Sequence, residues 1–437
     1  MTSGDPCDHA CSVQAQVMLS HSALPEGEPG KLWAVIKLSS GPEQQGSAGR
    51  LPLNVGVVLD RSGSMSGRPL DYVKRAAKFL IEQVGATDVL SLTVFDSQVD
   101  VVFPSQHVTN KDVLKQAVDS INTGGSTNLS GGLLRGYEEA LKECRSDQVN
   151  RVLLLTDGMA NSGIVDPDML AGKAGAMLRK GVSLSTVGVG LHFNEDLLIQ
   201  LAEAGKGSYY YVREPDEIPS VFASELQGLL SVVAQGINLE MHGLSGCRAA
   251  AVLGYEPMFD DTGMSFTLPD MFHDEQKLLA VEIDYPALPA GEHEIIRMKL
   301  SYADAAHDLD SVSLEVTAKL AVCSAGDQPK EPIFEVMKIV ELARTAIAKD
   351  RSVEAIDRGD FESGRKALEE RLTALKELQE AHGQVDADLQ EEIGNLERMS
   401  VKDPGLFCSC FDSGSRKELR YQSYQTRHNR PTNRPEK

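Results

Sequence analysis

Residues 51–64 read LPLNVGVVLDRSGS and give the strongest indication of the fold. Its continuous apolar run ends at Asp60, which is typical of a strand buried on both faces of a parallel sheet. Two more apolar runs end in the same way, VLSLTVF before Asp96 and RVLLLT before Asp157. Between the runs, apolar residues recur at helical spacing, as over 69–84. Strands that alternate with helices predict an α/β fold with a doubly wound, mostly parallel sheet covered by helices on both sides.

Polar residues collect just beyond these strands, where doubly wound folds bind their ligands. Asp60 is followed on one loop by Ser62 and Ser64, and Thr127 lies in a glycine-rich loop between two predicted helices. Asp157 ends the third apolar run. Mg²⁺ prefers an octahedron of oxygen ligands and keeps several waters. Three neutral hydroxyls leave such a cation electrophilic, while two carboxylates balance its charge. These segments therefore predict a divalent cation site.

Together the three segments resemble the metal-ion-dependent adhesion site of von Willebrand factor type A domains, written D-x-S-x-S, then a threonine, then an aspartate. The phrases LDRSGSMSG, GGSTNLSGGL and LLTDGMAN look most like bacterial A-domain proteins. They also resemble the A domains of inter-alpha-trypsin inhibitor heavy chains and of calcium-activated chloride channel regulators. The resemblance spans about 54–235. It implies that five residues bind Mg²⁺, with Mn²⁺ and Ca²⁺ as alternatives: Asp60, Ser62, Ser64, Thr127 and Asp157.

The same resemblance implies a function in protein binding. It implies that Asp60 and Asp157 act mainly through water or hydroxyl groups, so that one coordination position accepts a Glu or Asp from a partner protein. Related A domains switch by moving their last helix, here 215–232. Intracellular relatives usually act as assembly parts beside an ATPase or another machine. We therefore expect a Mg²⁺-dependent interaction module or scaffold in an intracellular multiprotein assembly.

A metal-dependent hydrolase that uses the same Mg²⁺ is the alternative function. Catalysis would require a general base or nucleophile with a poised partner. Asp96 is the one obvious extra carboxylate near the expected metal face, and a solvated or turn-capping role is favoured for it. The sequence contains no Walker-type phosphate loop, no H-E-x-x-H and no G-x-S-x-G. We therefore expect a protein that is not an enzyme.

The sequence outside the A domain predicts further parts. Short strands over 236–325 indicate a β-sandwich. The strands within 1–50 are too few to fold alone, so we expect them to complete that sandwich, with the A domain (51–235) inserted between its two parts. Residues 330–400 carry apolar positions at helical spacing and predict a helical hairpin or small bundle. Residues 401–437 are expected to form a flexible basic tail.

Composition and charge restrict the classes of partner that the protein is expected to bind and the cell compartment in which it is expected. The formal charge of −21 argues against nucleic-acid or anionic-membrane binding. No stretch is long and apolar enough to span a bilayer. The N-terminal sequence MTSGDPCDHACSVQ has neither the basic start nor the apolar core of a secretory signal. These observations favour a protein-binding protein of the cytoplasm.

The seven cysteines and the tail leave two questions open. Free thiols are the favoured interpretation, and a zinc site is the alternative. The zinc ligands would come from Cys7, His9, Cys11, Cys408 and Cys410. The basic tail is interpreted as a solubilising terminus, and its alternative is a docking peptide for an acidic groove.

Overall fold

The computed structural model describes residues 11–42, 50–261, 263–307, 309–324, 331–399 and 411–428. The strands of this part are β1 (Val13–Leu19), β2 (Ala23–Pro25), β3 (Gly30–Ser40), β4 (Leu53–Asp60), β5 (Val89–Phe95), β6 (Val99–His107), β7 (Val149–Thr156), β8 (Ser183–Val189), β9 (Lys206–Val212), β10 (Val232–Gly243), β11 (Arg248–Val252), β12 (Met258–Phe259), β13 (Gly263–Thr267), β14 (Met271–Phe272), β15 (Gln276–Tyr285), β16 (Gly291–Asp304) and β17 (Asp310–Cys323). The helices are α1 (Arg68–Gln83), α2 (Lys111–Asp119), α3 (Leu129–Lys142), α4 (Pro167–Leu178), α5 (Glu195–Ala204), α6 (Ile218–Leu230), α7 (Phe334–Asp357), α8 (Phe361–His382), α9 (Ala387–Met399) and α10 (Ser413–Arg427).

The chain divides into two compact units. The α/β unit contains β4 to β9 with α1 to α6, and the sandwich unit contains β1 to β3, most of β10, and the elements from β11 to α10. Sequence on both sides of the α/β unit therefore contributes to one and the same sandwich unit. The predicted class is confirmed, namely an α/β sheet inserted in a β-sandwich and followed by a helical segment. The exact domain boundaries stay a prediction.

The α/β unit is built on a six-stranded sheet in the order β6-β5-β4-β7-β8-β9. All neighbouring strands are parallel except β5 and β6, which pair antiparallel. The strands β4 and β7 lie side by side in register, with Leu59 opposite Leu155. Because parallel strands end at the same edge of a sheet, the residues that follow β4 and β7 emerge next to each other.

Helices cover both faces of this sheet. All eight residues of β4 are buried. Val55 and Val57 belong to the core that contains the apolar side of α1 and α6. Val58 points to the opposite face, where α3 crosses so closely that a Cβ on Gly136 would lie 2.1 Å from its Cγ2 atom. The continuous apolar run of β4 follows from this double burial.

Four helices of this unit begin at a residue whose side chain caps the helix. In each case an Asn or Asp side chain accepts a hydrogen bond from a backbone N–H in the first helical turn. This satisfies one of the amide groups that a helix leaves without a partner. The four capping residues are Asn110, Asn128, Asp166 and Asn194.

The sandwich unit joins strands from both ends of the chain. One sheet has the order β1-β3-β15-β11, and β3 pairs antiparallel with β15 along its length, from Gly30 opposite Tyr285 to Ser39 opposite Gln276. The other sheet has the order β12-β13-β10-β16-β17-β2, with β14 paired to β10. The inner faces of the two sheets share one apolar core. The N-terminal strands thus complete the sandwich.

The helical segment packs within the sandwich unit. Helix α7 places Val336 and Val340 in one cluster with Trp33 and Val35 of β3. Helices α8 and α9 pack with α7 around buried Val353, Leu368, Leu375, Leu389 and Ile393.

The expected disorder of the tail is wrong for residues 413–427, which form helix α10. Tyr424 of this helix is 1% exposed, and its arginines pair with acids of α7. The remaining residues of the predicted tail, 401–410 and 429–437, lie outside the described part of the chain.

Candidate metal centre

Asp60 is the most deeply buried member of the candidate site. It is the last residue of β4 and is 0% exposed. The backbone N–H of Ser62 donates to Asp60 Oδ1 at 2.8 Å, and the Thr156 hydroxyl donates to Oδ2 at 2.6 Å. Each carboxylate oxygen therefore has a donor that fixes its direction, and the donors come from the loop after β4 and the end of β7.

A chain of hydroxyl contacts connects Asp60's loop with Asp157. Ser62 precedes a short 3-10 helix, Gly63–Met65, which turns the chain back on itself. This turn brings Ser62 Oγ to 3.1 Å from Ser64 Oγ. Ser64 Oγ in turn donates to Asp157 Oδ1 at 2.6 Å. The serines of the first segment and the aspartate of the third thus meet at one place.

Thr127 reaches the same place from the second segment. Its side chain is almost fully buried, at 4% exposure. A Cβ built on Gly158 would lie 3.0 Å from Thr127 Oγ1, so the hydroxyl faces the turn that follows Asp157. The backbone N–H of Asn161 donates to the Thr127 carbonyl at 3.1 Å. All five predicted ligands therefore lie at one edge of the sheet.

Backbone hydrogen bonds hold the second loop against the first. Gly124 N donates to the Arg61 carbonyl at 2.8 Å, and Gly63 N donates to the Gly125 carbonyl at 2.9 Å. Gly124 must be glycine here, because a Cβ would lie 1.5 Å from Asp96 Oδ2. The glycines of this loop thus permit the close approach that positions Thr127.

The Asp96 carboxylate is held in place by contacts within the protein. Its Oδ1 accepts a hydrogen bond from the backbone N–H of Gln98 at 2.6 Å, and its Oδ2 lies 3.2 Å from Arg61 Nε. Its side chain is 9% exposed. Asp96 therefore caps its own turn and ties the loop after β5 to the loop after β4.

The electrostatics of the site suit a cation. The pKa of Asp60 is raised from 3.8 to about 6, mainly by burial and also by the nearby Asp157, against hydrogen bonds from Thr156 and Ser62 that lower it. Burial also raises the pKa of Asp157, while Ser64 and His192 act in the opposite direction. A divalent cation would favour both ionised forms. The donor set, three hydroxyls and two carboxylates, therefore fits a hard cation such as Mg²⁺.

The structure adds two residues that were not among the predicted ligands. Thr156 lies within the phrase LLTDGMAN, immediately before Asp157, and its hydroxyl holds Asp60. His192 lies in the loop after β8 and influences the pKa of Asp157. No local pattern marks His192, since only the pairing of β7 with β8 brings it near the site.

The cysteine-based zinc hypothesis involves residues mostly outside the described part of the chain, namely Cys7, His9, Cys408 and Cys410. The remaining candidate, Cys11, is a free thiol, as are Cys144, Cys247 and Cys323. Within the described residues, no three His, Cys, Asp or Glu side chains form a cluster that could hold a metal. The candidate centre at Asp60 therefore depends on its serine and threonine hydroxyls.

Residues 54–224 match the family described as von Willebrand factor type A domain. This part of the chain is therefore a von Willebrand factor type A domain. The predicted resemblance is confirmed. In the described ranges, none of the helices is both long and apolar enough to cross a bilayer.

Several curated proteins are similar in sequence. The uncharacterized protein sll0103 of Synechocystis is 28% identical over 305 residues, which cover 67% of this chain and 71% of that protein. The uncharacterized protein YfbK of Escherichia coli is 32% identical over 43% of this chain and 33% of its own length. Human inter-alpha-trypsin inhibitor heavy chain H3 is 29% identical over 44% of this chain. This chain spans only 22% of the heavy chain's length.

Two solved structures share the fold over nearly the whole chain. A von Willebrand factor type A protein from Catenulispora acidiphila superposes with a TM-score of 0.73, covering 94% of this chain and 96% of that one at 17% identity. The ArnB paralog VWA2 from Sulfolobus acidocaldarius gives a TM-score of 0.63, also at 17% identity, and covers 94% of this chain and 98% of that one. The coverage shows that the likeness extends beyond the A domain.

Proposed function

We propose that the α/β unit binds a Mg²⁺ ion through Asp60, Ser62, Ser64, Thr127 and Asp157, and uses it to capture an acidic side chain of a partner protein. The observation that supports this most strongly is the continuous contact from Ser62 through Ser64 to Asp157, beside the buried Asp60. Mn²⁺ and Ca²⁺ are alternative ions for the same ligands.

The chain's own residues prepare the site for such a cation. Thr156 and the Ser62 N–H hold both oxygens of Asp60 in fixed directions. The loop hydrogen bonds of Gly63 and Gly124 hold Thr127 against the serine loop. A bound Mg²⁺ would supply positive charge at an open coordination position, which a partner's Glu or Asp can complete.

Protein binding is a better proposal than hydrolysis. A hydrolase would require a base that is free to accept a proton from water. Asp96, the extra carboxylate near the site, accepts from Gln98 N and pairs with Arg61. These contacts favour a positioning role for Asp96 and leave the hydrolase alternative without a specific supporting observation.

We further propose a role as a scaffold in an intracellular assembly, with an ATPase or a similar machine as one class of partner. The free thiols of Cys11, Cys144, Cys247 and Cys323 support a reducing compartment such as the cytoplasm. The Arabidopsis E3 ubiquitin-protein ligase WAV3 aligns with 81% of this chain at 24% identity, but this chain spans only 46% of it. We propose that the part shared with this relative serves protein binding in this chain.

The test compares three samples of the full chain: wild type in Mg²⁺, wild type in EDTA, and Asp60→Ala in Mg²⁺. Each is used for affinity capture, and calorimetry measures Mg²⁺ binding directly. We expect Mg²⁺ binding and a distinct set of captured proteins only in the first sample. Asp100→Ala is the matched control, since it removes an exposed carboxylate that pairs with Arg61. Equal capture in all samples would refute the proposal.

A further inference from the structure

Exposed apolar side chains are concentrated beyond two strands of the α/β unit. Among residues 50–232, all of which the structure describes, six large apolar side chains are exposed. Four of the six follow β7 or β8, namely Met159 (47% exposed), Val165 (53%), Met169 (56%) and Leu191 (45%). Single exposed apolar residues are common on protein surfaces, whereas a group of them at one place marks an interaction site.

The pairing of β7 with β8 brings these residues to the edge of the sheet that carries the candidate metal centre. The two strands are parallel neighbours, so the loops that follow them emerge side by side. Met159 lies two residues after Asp157 on the first loop. His192, which follows Leu191 on the second loop, is close enough to Asp157 to lower its pKa. Met159 and Leu191 therefore lie on the two loops that border Asp157.

Backbone hydrogen bonds hold Met159 beside the candidate ligands. On one side of it, the backbone N–H of Gly158 donates to Thr156 Oγ1 at 3.2 Å. On the other side, the backbone N–H of Asn161 donates to the Thr127 carbonyl at 3.1 Å. Met159 lies between these two fixed points, so the turn itself directs its side chain towards solvent.

Leu191 is exposed on a loop whose neighbouring residues are anchored. Phe193 is 2% exposed and packs over β8, where a Cβ on Gly188 would lie 2.3 Å from Phe193 Cε2. The backbone N–H of Gly190 donates to the Val212 carbonyl of β9 at 2.8 Å. The loop therefore buries one apolar side chain and presents the next but one to solvent.

The first turn of α4 carries the other two exposed residues. Asp166 lies between them in the chain, and its Oδ1 accepts a hydrogen bond from the backbone N–H of Met169 at 3.0 Å. Gln200 Nε2 of α5 donates to Asp168 Oδ1 at 2.8 Å. This bond ties the first turn of α4 to the helix that follows β8. Val165 and Met169 thus belong to the same edge of the α/β unit.

The charges around these apolar residues restrict the kind of partner. The first turn of α4 carries Asp168, and that of α5 carries Glu195 and Asp196. The chain as a whole has a formal charge of −21. A partner segment with several acids would be repelled here. A single acid between apolar residues avoids that repulsion, and its apolar neighbours exclude water from the metal–carboxylate contact, which strengthens it.

We propose that Met159 and Leu191, with Val165 and Met169 beside them, form an apolar rim of the candidate metal centre that selects partners whose acidic residue lies between apolar side chains. This proposal rests on the function proposed above, because the bound Mg²⁺ must hold the partner's carboxylate. Methionine side chains are flexible and polarizable, so two of them suit a rim that packs against different apolar sequences.

Fluorescence anisotropy with three labelled nonapeptides tests the apolar rim on the full chain. The first peptide has a central glutamate between leucine and phenylalanine residues. The second replaces those apolar neighbours by serine, and the third keeps them but replaces the glutamate by glutamine. In Mg²⁺, the first peptide should bind about tenfold more tightly than the second, because only the first buries the rim. The glutamine peptide, and the first peptide in EDTA, should show no binding.

Two variants remove the rim without touching the candidate ligands. Met159→Ser and Leu191→Ser should each weaken binding of the first peptide by about five- to tenfold and leave the second unchanged. Val113→Ser is the matched control, since Val113 is 56% exposed on α2. That helix begins after His107, which pairs with Val89 at the opposite edge of the sheet. Calorimetry should give the wild-type Mg²⁺ affinity for all three variants, which shows that their folds and metal sites are intact.

Each result decides between the rim and the metal site. If wild type binds Mg²⁺ but binds both glutamate peptides alike, or binds neither, the apolar rim is refuted and the metal site stands. If calorimetry shows that wild type does not bind Mg²⁺, the proposed function fails and the rim fails with it. Sedimentation velocity covers the remaining occupant. A wild-type dimer that Met159→Ser dissociates would assign this face to a second copy of the chain and overturn the proposal.

Discussion

Ser64 Oγ donates a 2.6 Å hydrogen bond to Asp157 Oδ1, although 93 residues separate these two residues in the chain. The contact exists because β4 and β7 are neighbours in the sheet and end at the same edge. It connects the first and third segments of the candidate site directly. A substitution at either residue is therefore expected to disturb the other, and the following predictions build on this coupling.

Asp60→Asn is expected to stabilise the metal-free protein near pH 7. Burial raises the pKa of Asp60 in the folded protein to about 6, above its ordinary value of 3.8. The folded state thus binds the proton more tightly, so wild type loses stability as the pH rises from about 4 to about 6. The shift corresponds to roughly 3 kcal/mol at most, and we expect a gain of about 1–2 kcal/mol, because asparagine keeps the size but weakens the hydrogen bonds.

Urea unfolding in EDTA at about pH 4 and about pH 7 measures this difference. From about pH 4 to about pH 7, the free energy of unfolding should fall less for the variant than for wild type. A variant that is less stable than wild type at both pH values would contradict the expected cost of burying the charge.

Ser64→Ala is expected to lose the stabilisation that Mg²⁺ gives to wild type. A ligand that binds only the folded state stabilises it by about 2.7 kcal/mol at a hundredfold excess over its dissociation constant. Thermal unfolding with Mg²⁺ and with EDTA gives the difference for each protein. Ser126→Ala is the control, because Ser126 lies beside Thr127 and contacts Ser97 rather than the candidate ligands. An equal Mg²⁺ response in both variants would exclude Ser64 as a ligand.

Gly124→Ala is expected to destabilise the α/β unit by about 2 kcal/mol or more and to impair Mg²⁺ binding. The new Cβ would lie 1.5 Å from Asp96 Oδ2, so the loop that carries Thr127 must shift. Gly172→Ala in α4 is the control, since no atom lies within 4 Å of its Cβ position. It should be neutral or stabilising by about 0.5–1 kcal/mol, because alanine favours a helix. Calorimetry measures the unfolding of both variants. A Gly124→Ala variant as stable as wild type would contradict the close approach of Gly124 to Asp96.

Asp88→Asn is expected to destabilise the protein by about 2–3 kcal/mol at pH 7. Burial alone would raise the pKa of Asp88, but hydrogen bonds from Arg50, Gly85 N and Leu53 N outweigh it, so the pKa is lowered. Its stabilising contribution is therefore present above about pH 4 and is lost as the pH falls further and the carboxylate is protonated.

Wild type and Asp88→Asn should accordingly converge in stability at acidic pH in denaturant unfolding. Asp112→Asn, whose side chain is 86% exposed, is the matched control and should remain close to wild type throughout. A constant difference between wild type and Asp88→Asn at all pH values would contradict the assigned ion pair.

Much of the fold could be predicted from local patterns. The fully buried run of β4 and the helical spacing of α1 are direct consequences of where their apolar residues lie. The insertion could be predicted because two N-terminal strands cannot stand alone. Helix α10 was missed, since its burial depends on Asp350, which lies 73 residues before Ser423. A basic, polar segment carries no local sign of such a partner.

The types of ligand and the strands that carry them follow from local sequence, because side-chain chemistry and hydrophobic periodicity are local properties. The meeting of these ligands depends on the folded chain, because the distance between Ser64 and Asp157 is set by the pairing of β4 with β7. The raised pKa of Asp60 and the influence of His192 depend on it as well, since burial and electrostatic proximity arise after the chain has folded.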